Sequence, residues 1–261
     1  MKNVIVIKVG GSTFGSRDTT IEDIVALQKK GAALIVVHGG GSTVTDWLKR
    51  LGLNTQFVRG ERVTDLPALE VAAAVLAGLV NKEITAAINL AGGKAVGVSG
   101  VDGALIESRV KDKEMGWVGS VEKVNSALPE ALLKAGFIPV VSPISLLSID
   151  RPDGAPGIIN VNGDPIAGDI AAALGAARLV FLTDVDGVRD RSGELLSRLS
   201  ANEAEAKILS GVIVGGMIPK INACLKALKA GAIVRIIDGR KPHVLLNEIE
   251  SSGGGGTTLF K

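Results

Sequence analysis

The sequence predicts an α/β protein built on a mainly parallel sheet, and three observations carry that reading. Val4-Ile5-Val6-Ile7 and Leu34-Ile35-Val36-Val37 are unbroken apolar, β-branched runs, the pattern of strands covered on both faces. Each run ends in a glycine-rich turn, Gly10-Gly11 or Gly39-Gly40-Gly41, followed by a helical pattern. Beyond them, strand-like and helix-like segments alternate to the end of the chain, as they do in sheets closed by helical crossovers.

Taken in order, the first strand is followed by a helix from Thr20, with Ile21, Ile24 and Val25 on one face, ending near Gly31. The second strand leads to a helix from Ser42 to Arg50 that stops at Gly52. Residues 57–64 read as a short hairpin with Gly60 in its turn, and Thr64 or Asp65 caps a long helix from Leu66 to about Leu90. A strand at 94–98 follows. Short strands are expected at 104–106 and 117–121, flanking the charged loop Arg109 to Glu114 as a hairpin projecting at the edge of the substrate side. A helix near Leu128–Lys134 and a strand at 138–141 resume the alternation. The proline-bearing segment Ser142 to Gly157 is the expected lobe boundary, dividing the chain into 1–157 and 158–261. After it come a strand from Ile158, a helix bearing Ile166, Ile170 and Leu174, and a strand at 178–183. A tight turn and short hairpin are expected at 184–188, then helices near 202–210 and 218–229 and a strand at 233–237.

Composition sets bounds. With 29 basic and 27 acidic residues the formal charge is +2, no polybasic footprint for nucleic acid or a membrane surface. One cysteine, Cys224, excludes an internal disulfide framework and fits a reducing cytoplasm. No basic-then-apolar leader opens the chain and no unbroken apolar run reaches the roughly 18 residues of a membrane span. The expectation is a cytoplasmic protein without nucleic-acid or membrane partners.

Lys8 ends the first buried strand, where an ammonium is costly unless an anion meets it or its head reaches water. The neighbouring glycines let a backbone approach a ligand, and two such turns make a cradle of N–H groups suited to phosphate. Lys220 sits at a helix start after Gly216 and Met217, where a cation opposes the macrodipole by about 0.3–1 kcal/mol unless a bound anion reverses the sign. Asp164-Pro165 reads as an ordinary N-cap, although a carboxylate can cap and hold a lysine together. His38 precedes three glycines, but two histidines and no Gly-x-Ser-x-Gly elbow give a hydrolase triad little support, so His38 reads as a core or supporting residue. Cys224, on the apolar side of a helix, reads as packing, and metal-ligand clusters of Cys and His are absent from the sequence. The stretch Gly10 to Ser16 has Walker A spacing but a serine where the lysine belongs. A phosphoryl-transfer site on another architecture is therefore expected.

The ordered blocks Lys8-Val9-Gly10-Gly11, His38-Gly39-Gly40-Gly41, Arg59-Gly60-Glu61-Arg62-Val63-Thr64, Asn160-Val161-Asn162-Gly163-Asp164, Leu182 to Val188 and Gly216-Met217-Ile218-Pro219-Lys220 resemble the amino acid kinase family over essentially the whole chain. The resemblance implies an open αβα sandwich of two coupled lobes, in which 1–157 holds an acyl amino acid and carries dimerisation while 158–261 holds ATP. It implies that Lys8 and Lys220 stabilise the transferring phosphoryl group and that Asp164 orients both. Gly10, Gly11, Gly40 and Gly41 would meet the phosphoryl group and the attacking carboxylate, Arg62 and Asn160 the substrate's α-carboxylate, and Thr183, Asp184, Gly187, Gly216 and Met217 the nucleotide. The implied substrates are N-acetyl-L-glutamate and ATP, with Mg²⁺ held mainly by ATP and no dedicated metal site. A γ-carboxylate with a reference pKa near 4.3 is ionised at pH 7 and needs no general base. Bringing two anions together is the difficulty, and lysines, backbone N–H groups and Mg²⁺ address it.

A departure from the family pattern at the amino terminus leads to the expectation of a homodimer and no arginine-driven hexamer. Arginine-inhibited members carry an extra amino-terminal helix, whereas the first strand here begins at about Asn3, yet the tail from Pro242 to Thr258 is similar to theirs. Gly163 stands where a small residue such as alanine is familiar, a change expected to be harmless. Two other readings stay open. One is a kinase acting on an aminoadipate or glutamate linked to a small acidic carrier protein, for which Arg109, Lys111 and Lys113 would supply a basic entrance; the other is a catalytically idle nucleotide-binding regulator.

Overall fold

A computed structural model describes residues 3–10, 19–58, 60–251 and 255–261. Gly11, most of the Walker-like stretch and Arg59 lie outside the described residues. The strands in chain order are β1 Val4–Val9, β2 Ala33–His38, β3 Phe57–Val58, β4 Glu61–Arg62, β5 Ala95–Ser99, β6 Ile106–Val110, β7 Val118–Val124, β8 Ile138–Ser142, β9 Ile144–Leu147, β10 Ile158–Val161, β11 Arg178–Thr183, β12 Arg198–Ser200, β13 Ile233–Asp238 and β14 Thr257–Phe260. The helices are α1 Thr20–Lys29, α2 Gly41–Arg50, α3 Leu66–Leu90, α4 Ala127–Lys134, α5 Gly163–Ala173, α6 Ala201–Leu209, α7 Met217–Lys229 and α8 Val244–Ser251.

Eight strands form one sheet in the order β12-β14-β13-β11-β1-β2-β8-β5. Every pairing in it is parallel except β13 with β14. β1 lies inside this sheet, and its alternate residues enter opposite cores. Val4 and Val6 pack with Phe181, Ile166 and Ile170, while Ile5, Ile7 and Val9 pack with Ile24, Leu27, Ile84 and Ile88. Burial on both faces is why the run is apolar without alternation. Lys8 shares the face of Val4 and Val6, in register with Phe181 on β11 and Val37 on β2.

The sequence expectations need correction around residues 99–161. The strands expected at 104–106 and 117–121 lie at 106–110 and 118–124, and they do not project alone. β6 and β7 close a four-stranded barrel with β9 and β10. β9 falls inside the segment expected to separate the lobes, and β10 pairs with both β9 and β7. Residues 158–161 thus belong to a barrel whose other strands precede the boundary at 157. The expected 184–188 hairpin contains no strand; its nearest equivalent is a single bridge between Arg189 and Leu195. The strands β12 and β14 and the helix α8 carried no sequence expectation.

Asp65 caps α3, its carboxylate accepting from the Ala68 N–H at 2.9 Å. The helix winds as a π-helix over Ala74–Val80. By length and composition α3 could cross a membrane, but Leu69, Ala72, Leu76, Ile84 and Ile88 are buried against the fold.

Candidate functional site

The site begins at the carboxyl ends of β1 and β2, where parallel sheets place their ligands. Lys8 extends from β1 toward Asp164 in the first turn of α5, with Nζ 2.6 Å from Oδ1. Lys220, in the first turns of α7, donates to Oδ2 of the same carboxylate at 2.9 Å. Asp164 does not cap its helix. Asn162 is the N-cap, its side-chain oxygen accepting from the Asp164 N–H at 2.9 Å, which leaves the aspartate free to face the lysines. The Lys220 ammonium also lies 4.8 Å from the centroid of Phe181, a favourable cation–π placement.

Only 5% of Asp164 and 8% of Lys220 is exposed. Burial pushes the Asp164 carboxyl upward, but Lys8 and Lys220 outweigh it and hold the group below the ordinary carboxylate range. Burial pushes the Lys8 ammonium down, opposed by Asp164 and reinforced by Lys220. Two lysines face one buried aspartate here, with Asp184 also acting on Lys8, so a further anion placed against the ammonium groups offsets part of their desolvation cost.

A cavity of about 250 Å³ opens beside this cluster, walled by Lys8, Gly40, Gly41, Arg62, Asn160 and Gly163 among others. Gly40 has φ +142°, a backbone conformation that favours glycine, and a Cβ there would lie 2.8 Å from Leu76 Cδ2, so that side chain would have to shift. Arg62 donates through Nη2 to the Gly41 carbonyl at 2.7 Å and to Thr45 Oγ1 at 2.8 Å, and stacks on Phe57 at 4.7 Å. Its Nη1 is buried with no partner. Arg62 also lines the cavity, and a planar guanidinium held this way suits a carboxylate better than a lysine would. Asn160 donates to Thr64 Oγ1 at 3.3 Å on the same wall.

A second cavity, about 560 Å³, is lined by Asp184, Asp186, Gly187, Met217, Asp238 and Arg240. Gly187 has φ +143°, and a Cβ there would lie 2.6 Å from Thr257 Oγ1. Asp238 and Arg240 form a two-pronged pair at 2.8 and 2.9 Å, which holds the aspartate below the ordinary carboxylate range. Helix α7 joins the two regions, since Met217 faces the second cavity while Lys220, one turn on, reaches Asp164.

The structure therefore gathers Lys8, Asp164 and Lys220 at one point, Gly40, Gly41, Arg62 and Asn160 around one cavity, and Asp184, Gly187 and Met217 around the other. Gly10, Thr183 and Gly216 stand outside both walls. The Gly10 N–H donates to the Leu182 carbonyl at 3.1 Å, Thr183 donates to its neighbour Asp184 at 3.3 Å, and Gly216 is the N-cap of α7. Sequence reasoning missed Phe57, Asp238, Arg240 and Lys241. The last three, all lining the second cavity, run from the final residue of β13 into the turn after it as Asp238-Gly239-Arg240-Lys241, and charged residues at the carboxyl end of a parallel strand are the signal that points to them. Among the described residues no three His, Cys, Asp or Glu side chains gather as a metal site.

Residues 3–238 match the model of the amino acid kinase family. The chain is 51% identical over 257 residues to an acetylglutamate kinase of Dehalococcoides mccartyi strain CBDB1, covering 98% of this chain and 94% of that one. It is 45% identical over 260 residues to an acetylglutamate kinase of Cereibacter sphaeroides strain KD131, covering 98% and 87%. Among solved structures, the protein smu.665 of Streptococcus mutans UA159 superposes with a TM-score of 0.84 at 27% identity, covering 100% of this chain and 99% of that one.

Proposed function

The chain belongs to the amino acid kinase family, and on that premise we propose that it transfers the γ-phosphoryl group of ATP to the γ-carboxylate of N-acetyl-L-glutamate. The product is the acyl phosphate, and the reaction is the second step of arginine biosynthesis. The observation that carries this reading is the buried Lys8–Asp164–Lys220 cluster beside a cavity walled by Arg62 and Asn160.

The chemistry follows from these groups. N-acetyl-L-glutamate lies in the smaller cavity with its α-carboxylate at Arg62 and Asn160, and its γ-carboxylate at the Gly40–Gly41 turn near Lys8. ATP occupies the larger cavity along Asp184, Gly187 and Met217. The proposal also assigns Gly10 and Gly11 to the phosphoryl group and Thr183 and Gly216 to the nucleotide. The ionised γ-carboxylate attacks the γ-phosphorus, the bond to the bridging oxygen of ADP breaks, and no proton changes hands. Lys8 and Lys220 meet charge that develops on the phosphoryl oxygens, and Asp164 fixes both ammonium groups so that little reorganisation is needed at that moment. Mg²⁺ would enter on the phosphates of ATP, as hard cations with few protein ligands do, and would supply further charge neutralisation.

By function, 1–157 serves the acyl amino acid and 158–261 serves ATP, with Asn160 reaching the first cavity through the pairing of β10. The size of that cavity favours a free metabolite, since about 250 Å³ is below the roughly 300–1,000 Å³ typical of drug-sized ligands. The basic entrance that a carrier-linked substrate would use is largely neutralised: Arg109 pairs with Glu122 at 2.9 Å and Lys111 with Glu61 at 2.5 Å. A cytoplasmic homodimer is part of the proposal. Leu90 and Leu79 stand exposed on α3, next to the edge strand β5, and so offer an apolar face to a second copy.

Turnover with hydroxylamine trapping of the acyl phosphate tests the reading, comparing N-acetyl-L-glutamate, N-acetyl-L-aspartate, free glutamate and carrier-linked aminoadipate. Activity confined to the carrier-linked compound would overturn the substrate, and nucleotide binding without any turnover would favour the idle regulator.

A further inference from the structure

Behind the glycine turn that walls the smaller cavity stands a buried polar cluster with no part in the chemistry above. His38, the last residue of β2, is fully buried, and its Nδ1 lies 2.7 Å from the carbonyl of Gly39. A carbonyl only accepts, so Nδ1 carries the hydrogen and Nε2 is left as an acceptor. Facing Nε2 at 3.2 Å is the amide nitrogen of Asn81, itself fully buried at the end of the π-helical stretch of α3. The carbonyls of Val140 on β8 at 2.8 Å and Val98 on β5 at 3.2 Å lie against the same nitrogen, so its two hydrogens are shared among three acceptors, the shortest contact being to Val140.

Two further observations show that the fold is shaped around this side chain. A Cβ at Gly97 on β5 would lie 2.1 Å from Asn81 Oδ1, so the outer strand makes room for the amide. Within the π-helical stretch, Leu76 and Val80 lie against Gly40, where a Cβ would meet them at 2.8 and 3.4 Å. The π-helical stretch therefore touches the turn twice, with apolar groups on Gly40 and, through Asn81 and His38, with a hydrogen-bonded chain on Gly39. Burial pushes His38 down to about 4, with Lys8 reinforcing the shift against the Gly39 hydrogen bond, so the ring is neutral at pH 7 and its Nε2 can accept.

We propose that Asn81 is a positioning residue: by holding the Nε2 side of the His38 ring, whose tautomer the Gly39 carbonyl sets, it steadies the Gly39–Gly40–Gly41 turn that receives the acyl amino acid. The inference rests on the phosphoryl-transfer reading only for its activity readout. Its structural half is tested on the resting protein.

Nitrogen-15 NMR of the wild-type protein, which has only His38 and His243, should show one buried neutral ring protonated at Nδ1 near pH 7. A ring protonated at Nε2, or a doubly protonated one, would overturn the proposal whatever the substrate proves to be. Kinetics then follow for Asn81→Leu, which removes the donor, and for Gly97→Ala, which crowds Asn81 from β5 without touching the cavity. Both should lower kcat/KM for N-acetyl-L-glutamate at least tenfold while KM for ATP stays within twofold. Equal losses toward both substrates, or wild-type kinetics in either folded variant, would contradict it. If Asn81→Leu does not fold, Gly97→Ala and the ring tautomer decide. A wild-type protein with no turnover would instead count against the phosphoryl-transfer reading.

Discussion

Replacing Asp164 with asparagine keeps the volume and removes the charge that holds two buried ammonium groups together. Asp164 is 5% exposed and lies 2.6 Å from Lys8 and 2.9 Å from Lys220. Removing one partner of a buried ionic cluster costs about 3–5 kcal/mol. At roughly 2–4 °C per kcal/mol for a chain of this size, Tm should fall by about 6–20 °C at pH 7. The deficit should shrink toward pH 9.5. With no carboxylate to hold it charged, a buried lysine has a folded pKa below its unfolded value, so the charging penalty is present at neutral pH and fades as pH rises through that window. Turnover should fall by about 10²–10³, the scale of losing one preorganised charge-stabilising contact. Thermal unfolding by circular dichroism between pH 6.5 and 9.5, together with hydroxylamine-trapped acyl phosphate, measures both effects. A Tm within about 2 °C of wild type, with turnover lowered less than tenfold, would refute the reasoning.

Arg62→Lys keeps the charge but loses the planar fork, so KM for N-acetyl-L-glutamate should rise roughly 10–100-fold with kcat little changed, as steady-state kinetics would show. Gly163→Ala sets two effects against each other. Alanine gains about 0.5–1 kcal/mol in a helix, while its Cβ would lie 3.1 Å from the His38 carbonyl and 3.5 Å from Lys8 Cε; stability in urea should stay within about 1 kcal/mol of wild type, and a loss above 3 would show a rigid backbone there. His243 donates from Nδ1 to Asp23 at 2.8 Å, and that bond, with the charge of Asp23, raises its pKa. Its stabilisation is therefore present below the unfolded value and lost as pH rises through the folded one, so His243→Gln should lower Tm more at pH 5.5 than at pH 8.5, and an equal effect at both would contradict the pairing.

The central strands were legible because double burial leaves an unbroken apolar signature, as at Val4–Ile7 and Leu34–Val37, and Gly31 and Gly52 marked the turns where helices stop. β9 was not legible: Pro143 precedes it and its partners β6 and β10 come from elsewhere in the chain, so no local pattern records them. β14 is four residues after a run of glycines, and its place beside β13 depends on register alone. The same division runs through the site. Lys8 and Lys220 each stood out for a local reason, a cation after a buried strand or at a helix start. Their meeting at Asp164, 56 residues before Lys220, is a property of the fold. The role of Asp164 was ambiguous for a physical reason, because an Asp-Pro pair fits an N-cap equally well until Asn162 is seen to do the capping. Asp238 and Arg240 escaped notice because they lie at the end of β13 and in the turn after it, where periodicity gives no sign.

The most direct measurement is the steady-state comparison of Lys8→Ala and Lys220→Ala with wild type. If both ammonium groups act on the phosphoryl group in flight, kcat should drop by about two to three orders of magnitude in each variant, while KM for N-acetyl-L-glutamate and ATP changes only a few-fold. Near-normal kcat in either variant, or a loss expressed wholly in KM, would contradict the account.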